Sequence, residues 1–127
     1  PPPPPPPPPP PAPVCNDVAF PVYFDWDQSS LTAQARDAIA AGVSRANRCG
    51  VRSATVAGHA DKSGNRKYNV GLSSRRADVV RGELINRGVN NGVISTEAFG
   101  ETAPAVQTPD GAREPLNRRA DVVLRAR

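Results

Sequence analysis

Asp61 and Arg76 are the residues whose types and placement first suggest chemistry. Asp61 closes the tripeptide His59-Ala60-Asp61, which follows an apolar run and opens a polar stretch. Loops at the ends of strands are where binding residues concentrate. Asn69 and Arg76 lie seven residues apart in the segment that follows, so on a helix they stand two turns apart on one face. At about 100° per residue that face borders an apolar stripe of Val70, Ala77, Val80 and Leu84. Arg76 is then expected to lay its stem along the core edge and keep its head free, while Arg75 points to solvent. An Asp and an Arg so placed have two uses. They form a salt bridge that pins the loop to the helix, or they clamp the ammonium and the carboxylate of one zwitterionic amino-acid end through charge-assisted contacts. Spacing alone leaves both open.

Other candidate chemistry is thinner. Asp25 and Asp27 alternate along an extended segment, which sets two carboxylates on one side about 7 Å apart and raises the idea of a hydrolase. Neither sits where burial would clearly raise its pKa, so no catalytic residue is assigned. His59 is the single histidine, with no nucleophile motif beside it, and reads as a satisfied side chain at a strand end. With no CxxC and no second His, neither a metal site nor a cofactor is expected.

The elements that must position these residues follow from pattern. Residues 18–24 (VAFPVYF) read as a strand whose Pro21 marks an edge or a bulge. After a polar loop from Asp25 to Ser30, Thr32 caps a helix with Ala35, Ile39, Val43 and Ala46 at helical spacing, stopping at Cys49-Gly50. Residues 53–58 make a short buried strand. Asn65 caps a second helix to about Arg87, with Gly88 and Val89 as a Schellman ending. Strands at 94–99 and 120–124 flank a loop-rich stretch, 100–118. The order β-α-β-α-β-loop-β predicts an α/β two-layer sandwich, with a four-stranded mixed sheet and both helices on one face.

Residues 1–11 are all proline. With Ala12-Pro13 they are expected to form a polyproline II linker over 1–13, a stiff spacer of about 40 Å, ahead of one domain at 14–127. A ligand for a proline-binding module is the alternative. The chain starts without Met and reads as a piece of a longer protein, and no apolar run approaches a membrane span. Sixteen Lys and Arg against twelve Asp and Glu leave a formal charge of +4. Seven cations and two acids fall between Lys62 and Arg87, which suits an anionic partner. The basic residues wrap around the helix without aromatic platforms, so nucleic acid is not the expected partner. Cys15 and Cys49 are two independent thiols or, the preferred reading, a disulfide from the start of the domain to the end of its first helix. Such a bond stabilises by about 3–4 kcal/mol on the chain-entropy model and implies an oxidising compartment such as a bacterial periplasm.

The stretch GHADKSGNRKYNVGLSSRRADVVRGELINRGV resembles the signature of the OmpA-like peptidoglycan-binding domain. Gly58, His59, Asp61, Gly64, Tyr68, Asn69, Leu72, Ser73, Arg76, Ala77, Val80, Leu84 and Gly88 all fall in register with it. Tyr23-Phe24-Asp25-Trp26-Asp27, Phe99-Gly100-Glu101 with Pro104, and Asn117-Arg118-Arg119 match its earlier and later motifs. One departure is Ala60, where the family usually carries Thr. The resemblance implies non-covalent binding of the meso-diaminopimelate of the peptidoglycan stem peptide. Asp61 would take its free ammonium and Arg76 its carboxylate, with Asn69, Trp26, Asp27, Gln28 and Ser29 lining the pocket. It also implies a periplasmic tether, joined by the proline rod to an outer-membrane β-barrel. A lipoprotein or a flagellar stator component carrying the same module is the alternative, and a cell-wall hydrolase a more remote one.

Overall fold

The computed structural model describes residues 1–11 and 15–127. The expected end of the linker, Ala12 and Pro13, and the start of the domain at Val14 lie outside the described residues. Residues 1–11 are exposed and form no helix or strand.

From Cys15 onward the elements run β1 (Val18–Tyr23), α1 (Ala33–Ala46), β2 (Val51–Gly58), α2 (Arg66–Asn86), β3 (Ile94–Ala98) and β4 (Arg119–Ala126). Two short 3-10 turns, Asn91–Val93 and Pro115–Asn117, join this set; sequence periodicity carries no signal for elements of that length. The sheet order is β1-β4-β2-β3. β4 lies antiparallel to both neighbours, while β2 and β3 are parallel and joined through α2, the usual crossover for a parallel pair. Pro21 sits in mid-β1, and β1 is an edge strand, where a missing N–H breaks no ladder.

Alternation puts Val22, Val56, Val122 and Leu124 on one face of the sheet, against Ile39 and Val43 of α1 and Ala77, Val80 and Leu84 of α2. Both helices therefore cover the same face, as the element order predicts. The Thr32 hydroxyl accepts from Ala35 N at 3.0 Å and the Asn65 side chain from Tyr68 N at 2.7 Å, so both expected caps form. α2 ends as a Schellman motif: Gly88 N donates to Ile85 O and Val89 N to Leu84 O, each at 3.0 Å, with Gly88 at φ 97°. α1 stops earlier than expected, at Ala46, because Asn47 N closes the last α turn on Val43 O and Cys49 N then bonds Ala46 O in a tighter turn. Val70 is the stripe residue that fails. It stays exposed, with Gly100 packed close against it.

A disulfide joins Cys15 to Cys49, with Cα atoms 6.1 Å apart. Among the described residues no helix is long and apolar enough to cross a membrane.

Candidate functional site

The site is organised by the close approach of β2 to α2. At Gly58 a Cβ would stand 1.9 Å from the Ser73 carbonyl oxygen, so only glycine lets the strand end this close to the helix. The chain then turns through His59, Ala60 and Asp61 directly over the first turns of α2. The Asn69 amide donates to Asp61 O at 3.0 Å and to Gly64 O at 3.1 Å, which ties the loop down. Ser73 accepts from Gly100 N at 2.9 Å and ties the far loop to the same helix face.

Asp61 is 3% exposed, and its carboxylate accepts four hydrogen bonds. Ser63 N (3.2 Å) and Ser63 Oγ (2.5 Å) serve Oδ1; Glu114 N (3.1 Å) and Arg118 Nη1 (3.5 Å) serve Oδ2. Burial pushes its pKa up, but the donors, Ser63 foremost, outweigh that and hold it below the ordinary 3.8.

Arg76 is wholly buried, at 0% exposure, and its head is not free. Nε donates to Gln28 O (2.9 Å), Nη1 to His59 O (3.0 Å) and Nη2 to Asp25 O (3.2 Å), and the guanidinium lies 5.2 Å from the Phe24 ring centroid. The loop from β1 to α1 folds over α2 and turns its carbonyls onto the cation, which the sequence pattern does not encode. Burial lowers the Arg76 pKa to about 10; Asp61 and Asp27 oppose the fall, and Arg118 adds to it. Among the described residues no carboxylate lies within 4 Å of Arg76, so the direct Asp61–Arg76 salt bridge is absent. The ion pair at Asp61 is with Arg118 instead.

A cleft of about 180 Å³ opens at Asp61; Arg76 is not part of its wall. Trp26, Asp27, Asp61 and Asn69 line it, with Ser63, Gly64, Tyr68 and Leu72 completing the wall. Trp26 Nε1 donates to Ser63 Oγ at 3.0 Å, and the Arg113 guanidinium stacks 3.6 Å from the indole centroid. Asp27 adopts φ 55°, a left-handed backbone, and its carboxylate accepts from the Tyr68 hydroxyl, a bond that raises the Tyr68 pKa. Gln28 and Ser29 stand outside the cleft wall; Gln28 acts through its carbonyl on Arg76. Arg118, Ser63 and Tyr68 are contributors that spacing did not single out.

His59 is buried, stacks on Phe99 at 5.3 Å and points Nε2 at Asp121 Oδ2, 3.4 Å away. That contact places it on the side of β4, away from the cleft. Among the described residues no group of three or more His, Cys, Asp and Glu is placed to hold a metal.

The OmpA family model matches residues 23–124. An outer membrane protein of Gluconacetobacter diazotrophicus is 42% identical over 109 residues, covering 81% of this chain and 29% of that protein. A peptidoglycan-associated lipoprotein of Haemophilus influenzae is 36% identical over 99 residues, covering 78% of this chain and 65% of the relative. The chain thus spans less than two thirds of either relative's length. The crystal structure of the peptidoglycan-associated lipoprotein from Burkholderia pseudomallei superposes with a TM-score of 0.73 at 30% identity, covering 83% of this chain and 89% of that one.

Proposed function

Because this chain belongs to the OmpA family, we propose that it holds peptidoglycan non-covalently, gripping the diaminopimelate of the stem peptide and breaking no bond. The observation that carries this reading is Arg76, a buried guanidinium satisfied only by neutral carbonyls, with no carboxylate beside it. A free ligand carboxylate supplies the missing charge. It reaches Arg76 by displacing the Gln28 or Asp25 carbonyl, exchanging a neutral acceptor for an anionic one that pairs the buried charge. The ligand ammonium goes to Asp61. All four acceptor positions there are filled, and the 3.5 Å contact from Arg118 is the longest, so the ammonium takes its place. Each ligand charge thus replaces a weaker internal stand-in. Asn69 keeps the Asp61 loop in place, Trp26 and Asp27 wall the cleft, and Gln28 and Ser29 belong to the loop that yields.

The names of the relatives support a periplasmic wall tether, with the proline-rich residues 1–13 as a spacer ahead of a domain at 14–127. The matched part is only 29% of the Gluconacetobacter outer membrane protein, which fits a chain tethered to an outer-membrane β-barrel. The lipoprotein match supports a lipid-anchored alternative.

Calorimetric titration with a diaminopimelate-containing stem peptide tests the grip. Asp61→Ala and Arg76→Ala are each expected to weaken binding by tenfold or more, since a charge-assisted contact is worth about 1.5–3 kcal/mol. A lysine-containing peptide, which lacks the side-chain carboxylate, should bind the unaltered protein at least tenfold more weakly. Equal affinity for the two peptides, with both variants folded and unimpaired, would sink the assignment.

A further inference from the structure

Arg76 does not open onto the cleft of Asp61, although the proposed grip needs both. It is wholly buried, and the segment from Asp25 to Gln28 lies over it, with the Asp25 carbonyl on Nη2 and the Gln28 carbonyl on Nε. Trp26 and Asp27, between those two, line the cleft. A strap of four residues thus covers one charge and walls the cleft of the other. Asp27 turns the strap with φ 55°, a conformation that a residue with a side chain keeps only where its surroundings hold it.

Three contacts hold the strap down. The Tyr68 hydroxyl donates to the Asp27 carboxylate, and the Arg113 guanidinium stacks 3.6 Å from the centroid of the Trp26 indole. The third contact runs on into the site. Trp26 Nε1 donates to Ser63 Oγ at 3.0 Å, and that hydroxyl donates in turn to Asp61 Oδ1 at 2.5 Å. Hydrogen bonds in a chain polarise one another, so this pair draws strength from the negative charge at its end. An ammonium on Asp61 offsets that charge. Both bonds then weaken, and the one at the far end is the latch on Trp26.

We propose that the strap from Asp25 to Gln28 is a lid, closed on Arg76 in the free protein and unlatched through Ser63 when an ammonium reaches Asp61. The inference rests on the reading that Asp61 and Arg76 hold the diaminopimelate, and it gives that grip an order. The ammonium docks first, because Asp61 lines the cleft. Trp26 then comes away from Ser63, the Asp25 and Gln28 carbonyls leave Arg76, and the carboxylate enters in their place. A lysine-type stem carries the ammonium without the carboxylate, so it loosens the strap and gains nothing at Arg76.

Trp26 is the single tryptophan of the chain, so its fluorescence follows the strap directly. Stopped-flow mixing with a diaminopimelate-containing stem peptide should change that fluorescence at a rate that levels off at high peptide, the ceiling being lid opening. Tyr68→Phe and Arg113→Ala alter exposed side chains that hold the strap and leave Asp61 and Arg76 in place. Each should raise the ceiling and tighten binding by about threefold, since less of the free protein is then held closed. The lid is overturned if both variants weaken binding, which would make Tyr68 and Arg113 ligand contacts. It is equally overturned if the rate climbs with peptide without a ceiling, or if Trp26 fluorescence stays constant while calorimetry shows the peptide bound. Absence of any calorimetric binding by the unaltered protein overturns the reading of Asp61 and Arg76 instead.

Discussion

Asp61 is held by donors from three places in the chain: Ser63 beside it, Glu114 N in the long loop, and Arg118 at the foot of β4. Because these hold its folded pKa below the ordinary 3.8, the carboxylate stabilises the fold above that pH, and the contribution disappears as pH falls through the folded value. Asp61→Asn is expected to remove that part of the acid dependence. Urea midpoints measured downward from pH 5 should fall less steeply for the variant than for the parent, and parallel slopes would refute the point. Spacing singled out Asp61, Asn69 and Arg76, but it did not tell that Asp61 and Arg76 make no direct ion pair. Arg118 was not legible, since it stands 57 residues from the carboxylate it meets. Nor was the capping of Arg76, which uses the carbonyls of Asp25, Gln28 and His59. Every residue type carries a carbonyl, so no side-chain pattern announces it.

Gly58 decides whether the elements meet correctly. A methyl group there would drive β2 from the Ser73 carbonyl and lift the loop that carries His59 to Asp61. Gly58→Ala should destabilise the protein by about 1–3 kcal/mol, the range for overpacking a tight contact. It should also weaken the proposed binding of diaminopimelate, although residue 58 does not line the cleft of Asp61. Thermal melts paired with titration check this; a stable variant with full affinity would show that the contact tolerates a side chain. Helix signals were legible where they are local: Thr32, Asn65 and Gly88 act on backbone within a turn of themselves. The insertion of β4 between β1 and β2 was not, because strand order rests on contacts between distant segments. Pro21 gave the one advance hint, by marking β1 as an edge.

At the scale of the whole molecule, the covalent cross-link stands at one end of β2 and the cleft of Asp61 at the other. Cys15 precedes β1, while Cys49 stands two residues before β2, which runs from Val51 to Gly58 and into His59, Ala60 and Asp61. A tether pulled from its proline end would therefore carry tension along a short path. The pull passes Cys15, crosses the sulfur bridge to Cys49, follows β2 and arrives at the loop of His59 to Asp61, with β1 and α1 shunted out of the line of force. Stretching a single molecule between its N-terminus and its C-terminus, before and after reduction, would show whether the bridge is there to carry the pull. Reduction should lengthen the fully unfolded chain by about 110 Å, the reach of the 34-residue separation at roughly 3.3–3.6 Å per residue. An unchanged contour length would mean that the bridge does not form. The bond that tightens the fold at rest would then be, under strain, the strut between the proline end and the Asp61 loop.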